Sequence, residues 1–166
     1  MLRMYIRSLP YLLGALARRR DDLVVSRIRS RVHLDQVDLF GHMNQSRYAE
    51  HLELGRTDLL VRSGAWQRWR QQGVYPVVAR QEILYRRELK PRQRFDVDTR
   101  VVGFEGRLLH VRGTMLVADR VHAVGDVYLI FLGPDGVLDE AQMRRHGEGL
   151  VTDPLAVTDW RAAAAG

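Results

Sequence analysis

Two carboxylates, two histidines, an asparagine and a glycine crowd into one stretch, His33-Leu-Asp-Gln-Val-Asp-Leu-Phe-Gly-His-Met-Asn-Gln-Ser-Arg-Tyr48. Asn44 and Ser46 are both good helix N-caps, so a helix is expected to begin there. A helix N-terminus presents N–H groups without intrahelical acceptors and a partial positive charge. Those groups can stabilise negative charge developing on a carbonyl oxygen. A carboxylate beside them, here Asp38, can attack the carbonyl carbon or activate a water. Hydrolysis of an activated acyl compound needs little more. The same residues suit a plain structural role: Asp38 and Asn44 are good turn and capping residues, and His42 could be a satisfied structural histidine. Spacing alone favours that plainer role. His33, His42 and a carboxylate match no recognised ligand spacing, so no metal is expected. Neither G-x-S-x-G nor G-x-x-x-x-G-K-[ST] occurs in the chain.

The elements that must position these residues are legible from periodicity. Leu23–Leu34, with Val25, Ile28 and Val32 among Ser and Arg, predicts a first strand. Asp35–Asn44 predicts a loop. Tyr48, Leu52, Gly55 and Leu59 step by four, three and four, tracing one helical face to about Ser63. Gly55 on that face lets something pack close to the helix. Residues 65–72 predict a short second helix stopped by Gly73. Strands are then expected over Val77–Leu89, Phe95–Val102, Leu108–Ala118 and Val121–Leu132, with Phe95, Val97, Thr99 and Val101 on one face. From Asp139 an irregular tail is expected. Strand, long helix and antiparallel meander make an α+β domain, with one helix across one sheet face. Its other edges call for cover, which a second subunit commonly supplies.

The chain has 166 residues, enough for one ordinary domain, with 46% hydrophobic and 28% charged residues and no cysteine. Disulfides and thiolate chemistry are therefore excluded. The formal charge of +6 is local: residues 1–32 hold eight arginines against Asp21 and Asp22, and the remainder is neutral. No nucleic-acid footprint is spread over the fold. Residues 1–22 read as a basic, amphipathic helical extension, residues 23–138 as the domain and 139–166 as the tail. The apolar run Leu9–Ala17 is far short of the roughly 20 residues needed to span a bilayer. Arg18-Arg19-Arg20 follows it where a signal peptide would place its cleavage site. An interfacial helix with peripheral membrane contact through residues 1–20 fits, as does one covering the domain or a partner subunit.

Asp38-Leu-Phe-Gly-His-Met-Asn44 followed by Tyr48 resembles the D-x-x-G-H-[VM]-N-x-x-x-Y signature of the 4-hydroxybenzoyl-CoA thioesterase-like branch of the hotdog superfamily. The order of elements over residues 25–135 is also similar, and the leader resembles that of the thioesterase-superfamily-member-6-like subgroup. The resemblance implies a hotdog fold, in which an antiparallel sheet wraps one long helix. It implies a thioesterase acting on acyl-CoA or acyl-carrier-protein thioesters; a cytoplasmic location is expected, the lack of cysteine being compatible with a reducing compartment. Asp38 would be the nucleophile or general base, the backbone N–H of Gln45 the donor polarising the carbonyl, and Glu53, facing Arg56, a reserve acid. Gly41, His42, Asn44 and Tyr48 would border the substrate. Arg86, Arg87 and Lys90, with Arg80 and Arg92 nearby, are candidates for the phosphates of coenzyme A. The resemblance further implies no cofactor besides the coenzyme A of the substrate, and a homodimer or dimer of dimers with the pocket between subunits. Leu39 and Gln45 depart from the pattern, which has proline and asparagine there. Two rivals keep the fold: a non-catalytic acyl-CoA or lipid binder, and a hydratase or dehydratase.

Overall fold

The computed structural model describes residues 24–151 and Gly14. The helical extension expected over residues 1–22 and the tail beyond Val151 lie, Gly14 apart, outside the described residues. Strand β1 (Val25–Arg31) leads through a short 3-10 turn at Leu34–Gln36 to helix α1 (Gln45–Arg62) and helix α2 (Ala65–Gln71). Strands β2 (Tyr75–Tyr85), β3 (Arg94–Glu105), β4 (Leu108–Val117), β5 (Arg120–Gly133) and the two-residue β6 (Gly136–Val137) follow, then helix α3 (Glu140–Gly147). The strands form one antiparallel sheet in the order β1-β3-β4-β5-β2, with β6 paired to β5. Helix α1 lies across its inner face.

The helical face read from the sequence is the buried one, since Tyr48, Leu52, Gly55 and Leu59 are all covered. On β3 the residues Phe95, Val97, Thr99 and Val101 turn inward toward it. Two apolar clusters fill the space between. One gathers Tyr48, Leu52, Met43, Leu89, Phe95 and Met115 beneath the start of α1. The other gathers Leu59, Trp69, Leu109, Phe131 and Met143 at its far end.

Several boundaries differ from expectation, and three of the differences have a clear cause in the local bonding. β1 stops at Arg31 because the chain turns through Leu34–Gln36, where the His33 N–H donates to Gln36 Oε1 at 3.0 Å. β2 stops at Tyr85, four residues early, because both Arg86 and Arg87 donate their N–H to one carbonyl, His122 O, at 2.8 and 3.0 Å. The tail expected to be irregular from Asp139 instead opens with α3. Asp139 caps Gln142 N at 2.8 Å while Gln142 Oε1 accepts from Asp139 N at 2.9 Å, a reciprocal capping box readable as D-x-x-Q. Met143 is fully buried, and the Trp69 indole donates to His146 O at 2.9 Å, so α3 belongs to the domain's core.

Gly55 is where helix and sheet come closest. A Cβ built there would overlap Thr99 Oγ1 and stand 3.1 Å from Val97 Cγ1. Thr99 Oγ1 is buried and has no hydrogen-bond partner among the described residues. Gly55→Ala should lose about 1 to 2 kcal/mol in chemical denaturation, overpacking outweighing the better helix propensity of alanine. Adding Thr99→Ala should recover most of it; a Gly55→Ala variant as stable as wild type would contradict the close approach.

On the sheet's outer face Asp126 is 1% exposed and accepts from His110 Nε2 at 2.7 Å and Arg112 Nε at 2.8 Å. Burial pushes this carboxyl up, but the hydrogen bonds from His110 and Arg112 outweigh it and hold the group at about 2. A carboxyl depressed by folding stabilises the protein above its unfolded value and loses that contribution as pH falls through the folded one. Between about pH 4 and pH 2 the wild type should therefore lose roughly 2 kcal/mol. Asp126→Asn should remove that part of the pH–stability curve; an unchanged curve would refute the assignment.

Candidate active site

The loop bearing Asp38 is braced at both ends. Val37 and Met43 pair as an antiparallel bridge. Inside it, Asp38 N–H donates to His42 O at 3.0 Å and Gly41 N–H to Asp38 O at 3.1 Å. Gly41 sits at φ +80°, a conformation that costs a side-chain-bearing residue energy. Asn44 N–H then donates to Gln36 O at 2.8 Å, setting the chain's entry into α1. The Asn44 side chain caps the helix as expected, accepting from Ser46 N at 3.0 Å and Ser46 Oγ at 2.8 Å. The Gln45 N–H, first in the helix, has no acceptor among the described residues.

Asp38 is fixed by its own backbone. Its Oδ1 accepts from Phe40 N at 2.9 Å, an Asx turn, while Oδ2 lies 3.6 Å from His42 Nδ1. The structural role that spacing favoured is therefore present, and it leaves the side chain partly exposed, bordering a cleft of about 1040 Å³. Asp38, His42, Asn44, Gln45 and Tyr48 line that cleft, together with Arg86 and Arg87 from the turn after β2. Residues distant in sequence thus converge on the N-terminus of α1. The arrangement offers a carboxylate, a free N–H at a helix start and a basic rim on one surface.

Tyr48 reaches across to that turn. Its hydroxyl accepts from Leu89 N at 3.2 Å, and Leu89 O accepts from Met43 N at 2.8 Å. Burial raises the Tyr48 phenol, partly offset by the Leu89 hydrogen bond, so it stays neutral.

Other sequence candidates lie elsewhere. Gly41 shapes the turn without lining the cleft, and a Cβ there would meet nothing within 4 Å. Glu53 is exposed farther along α1, where its charge acts on Arg56. Lys90 is exposed and pairs with Glu88 at 3.6 Å. Arg80 pairs with Glu105 at 2.8 Å and lies 3.8 Å over the Tyr128 ring on the outer face. Arg92 occupies the turn before β3 with φ 63°. Sequence reasoning missed Tyr85, Val37, Met43 and the exposed pair Leu39 and Phe40, all of which line the cleft. For Tyr85 the one available signal was its place just before Arg86-Arg87. Among the described residues no three His, Cys, Asp or Glu side chains group to hold a metal ion, and no helix is long and apolar enough to cross a membrane.

Known proteins resemble this chain in sequence and in fold. Protein THEM6 of Xenopus laevis is 31% identical over 113 residues, which are 66% of this chain and 55% of that protein, so the chain spans about half of that relative's length. YbaW, a probable thioesterase from Escherichia coli, superposes with TM-score 0.70 at 21% identity, covering 76% of this chain and 99% of that one. DHNA-CoA thioesterase from Staphylococcus aureus gives TM-score 0.61 at 16% identity, covering 86% and 90%. A thioesterase from Thermus thermophilus, solved with coenzyme A and zinc, gives 0.58 at 26% identity, covering 75% and 94%. The family model described as the thioesterase-like superfamily matches residues 32–152, a span holding the whole cleft. On that match the chain belongs to the thioesterase-like superfamily, and the sheet curled around α1 is its hotdog fold.

Proposed function

We propose that the protein hydrolyses acyl-CoA thioesters, or the equivalent acyl-carrier-protein thioesters, in the cleft at the start of α1. The observation that carries this reading is the meeting of Asp38 with the unpaired Gln45 N–H on one surface. The thioester oxygen accepts from the Gln45 N–H, where the helix partial charge stabilises the oxyanion. Asp38 then acts in one of two ways. As nucleophile it forms an acyl anhydride, expels the thiolate, which takes a proton, and is freed by water. As general base it takes the proton from a water that attacks the carbonyl directly, and the departing thiolate takes that proton up. The Phe40 N–H, donating to Oδ1 at 2.9 Å, orients the carboxylate in either case, with His42 beside Oδ2 at 3.6 Å.

Arg86 and Arg87 border the same cleft, with the Arg87 guanidinium steadied by Val121 O at 2.9 Å. Both are exposed, as residues meeting the phosphates of coenzyme A need to be. Coenzyme A enters as part of the substrate, and no other cofactor is invoked. A homodimer or dimer of dimers completes the cleft. The exposed side chains Tyr75, Val77 and Val78 on edge strand β2 support that assembly.

Purified protein should release thiol from at least one member of an acyl-CoA panel, and Asp38→Asn should lower kcat/KM by about a hundredfold or more. Absence of thiol release from every substrate, or an Asp38→Asn variant as active as wild type, would refute the reading. The paired change Arg86→Ala with Arg87→Ala should raise KM by roughly tenfold at low salt and leave kcat nearly unchanged. That difference should shrink as salt rises, since the arginines are exposed; an unaltered KM would remove them from the substrate site.

A further inference from the structure

Where the acyl group lies is constrained by what already fills the protein. Behind the cleft, among the described residues, buried side chains fill the space between α1 and the sheet. Leu52 sits in a notch over Gly113 and Gly125: a Cβ on Gly113 would stand 2.6 Å from Leu52 Cδ2, and one on Gly125 would overlap Leu52 Cδ1. Met43, Leu89, Met115 and Ala123 around it are essentially without exposure. An acyl chain entering the cleft meets buried Tyr48 and goes no deeper without displacing the core. The apolar surface open to it is the outer wall of the cleft.

Tyr85 forms the part of that wall nearest the start of α1. The residue ends β2, is 46% exposed and lines the cleft. Its ring stands edge-on to Tyr48, 5.0 Å between centroids at 89°, and its hydroxyl donates to Gln45 O at 3.4 Å. Both supports hold the ring beside the first turn of α1. Leu39 and Phe40, also lining the cleft, carry the apolar surface to the rim.

We propose that Tyr85 is the residue that selects the acyl group, its ring covering the first methylenes while the thioester carbonyl rests at the helix start. This rests on the thioesterase reading above. The remainder of a long chain runs outward past Leu39 and Phe40 and not into the core, so selectivity comes from covered apolar surface and not from a closed tunnel end. A Tyr85 that only braced Gln45 would act equally on every substrate.

The test is thiol release by wild type, Tyr85→Phe and Tyr85→Ala over straight-chain acyl-CoAs from four to twelve carbons. Wild-type kcat/KM should rise by up to about fourfold per added methylene over the first few, the gain from burying each on the ring. Tyr85→Ala should flatten that rise, losing about tenfold or more on the longer chains and little on the shortest. Tyr85→Phe should stay within about threefold of wild type throughout. Inhibition by free coenzyme A should be the same in all three. Should Tyr85→Ala fail to fold, Tyr85→Gln, which keeps bulk without an apolar face, should give the flattened profile. An active wild type indifferent to chain length overturns the proposal, as does an undiminished slope in Tyr85→Ala or a Tyr85→Phe that falls as far as Tyr85→Ala. A wild type inactive on every member overturns the thioesterase reading itself.

Discussion

Leu89 leaves the sheet, yet its peptide is bonded on both sides: the N–H to the Tyr48 hydroxyl, the carbonyl to the Met43 N–H. Three separate pieces meet at this buried residue, namely helix α1, the loop carrying Asp38 and the turn carrying Arg86 and Arg87. A buried amide without a partner costs roughly 1 to 3 kcal/mol, so the chain cannot drop either bond cheaply. The carboxylate, the helix start and the arginines are therefore located by one another. Tyr48 serves here as a structural tie whose ring also borders the cleft.

The depth to which α1 settles into the sheet is set by missing side chains. Gly55 admits Thr99 from β3, and Gly113 with Gly125 admits Leu52 from the helix. Interlocking in both directions fixes the helix along its axis as well as in depth. At the far end Asp58, buried, accepts from Ser26 Oγ at 2.5 Å and from Arg62 at 3.1 Å, tying α1 to β1. A buried carboxylate with two such donors resists sliding, since either loss leaves charge in a poorly solvated place. The N-terminus of α1 is thus held where the cleft opens.

Much of this was legible in the sequence, for identifiable reasons. Helix α1 announced its inner face through the spacing Tyr48, Leu52, Gly55, Leu59, and its start through Asn44. The inward residues of β3 followed from strict alternation. Asp38, Gln45 and Tyr48 were flagged by a motif, and the structure brings them to one cleft with Arg86 and Arg87. What escaped depended on long-range geometry. The end of β2 at Tyr85 is imposed by the carbonyl of His122, thirty-odd residues on, which no local pattern reveals. Tyr85 looked like one more strand residue because its partners, Tyr48 and Gln45, belong to another element. Helix α3 was a different kind of miss, since the D-x-x-Q cap at Asp139 was present and had gone unused.

Leu39 and Phe40 stand at the rim with their side chains in solvent, outside both apolar clusters. Most substitutions in a folded protein spend some of a narrow stability margin. These two positions, and Tyr85 on an edge strand, draw little on it. Side chains at these three positions can therefore change among related chains at little cost to the fold, while Asp38, Asn44 and Gly41 are tied to the backbone turn beside the cleft. Preference for one acyl group over another can drift within such a lineage without the fold having to be rebuilt.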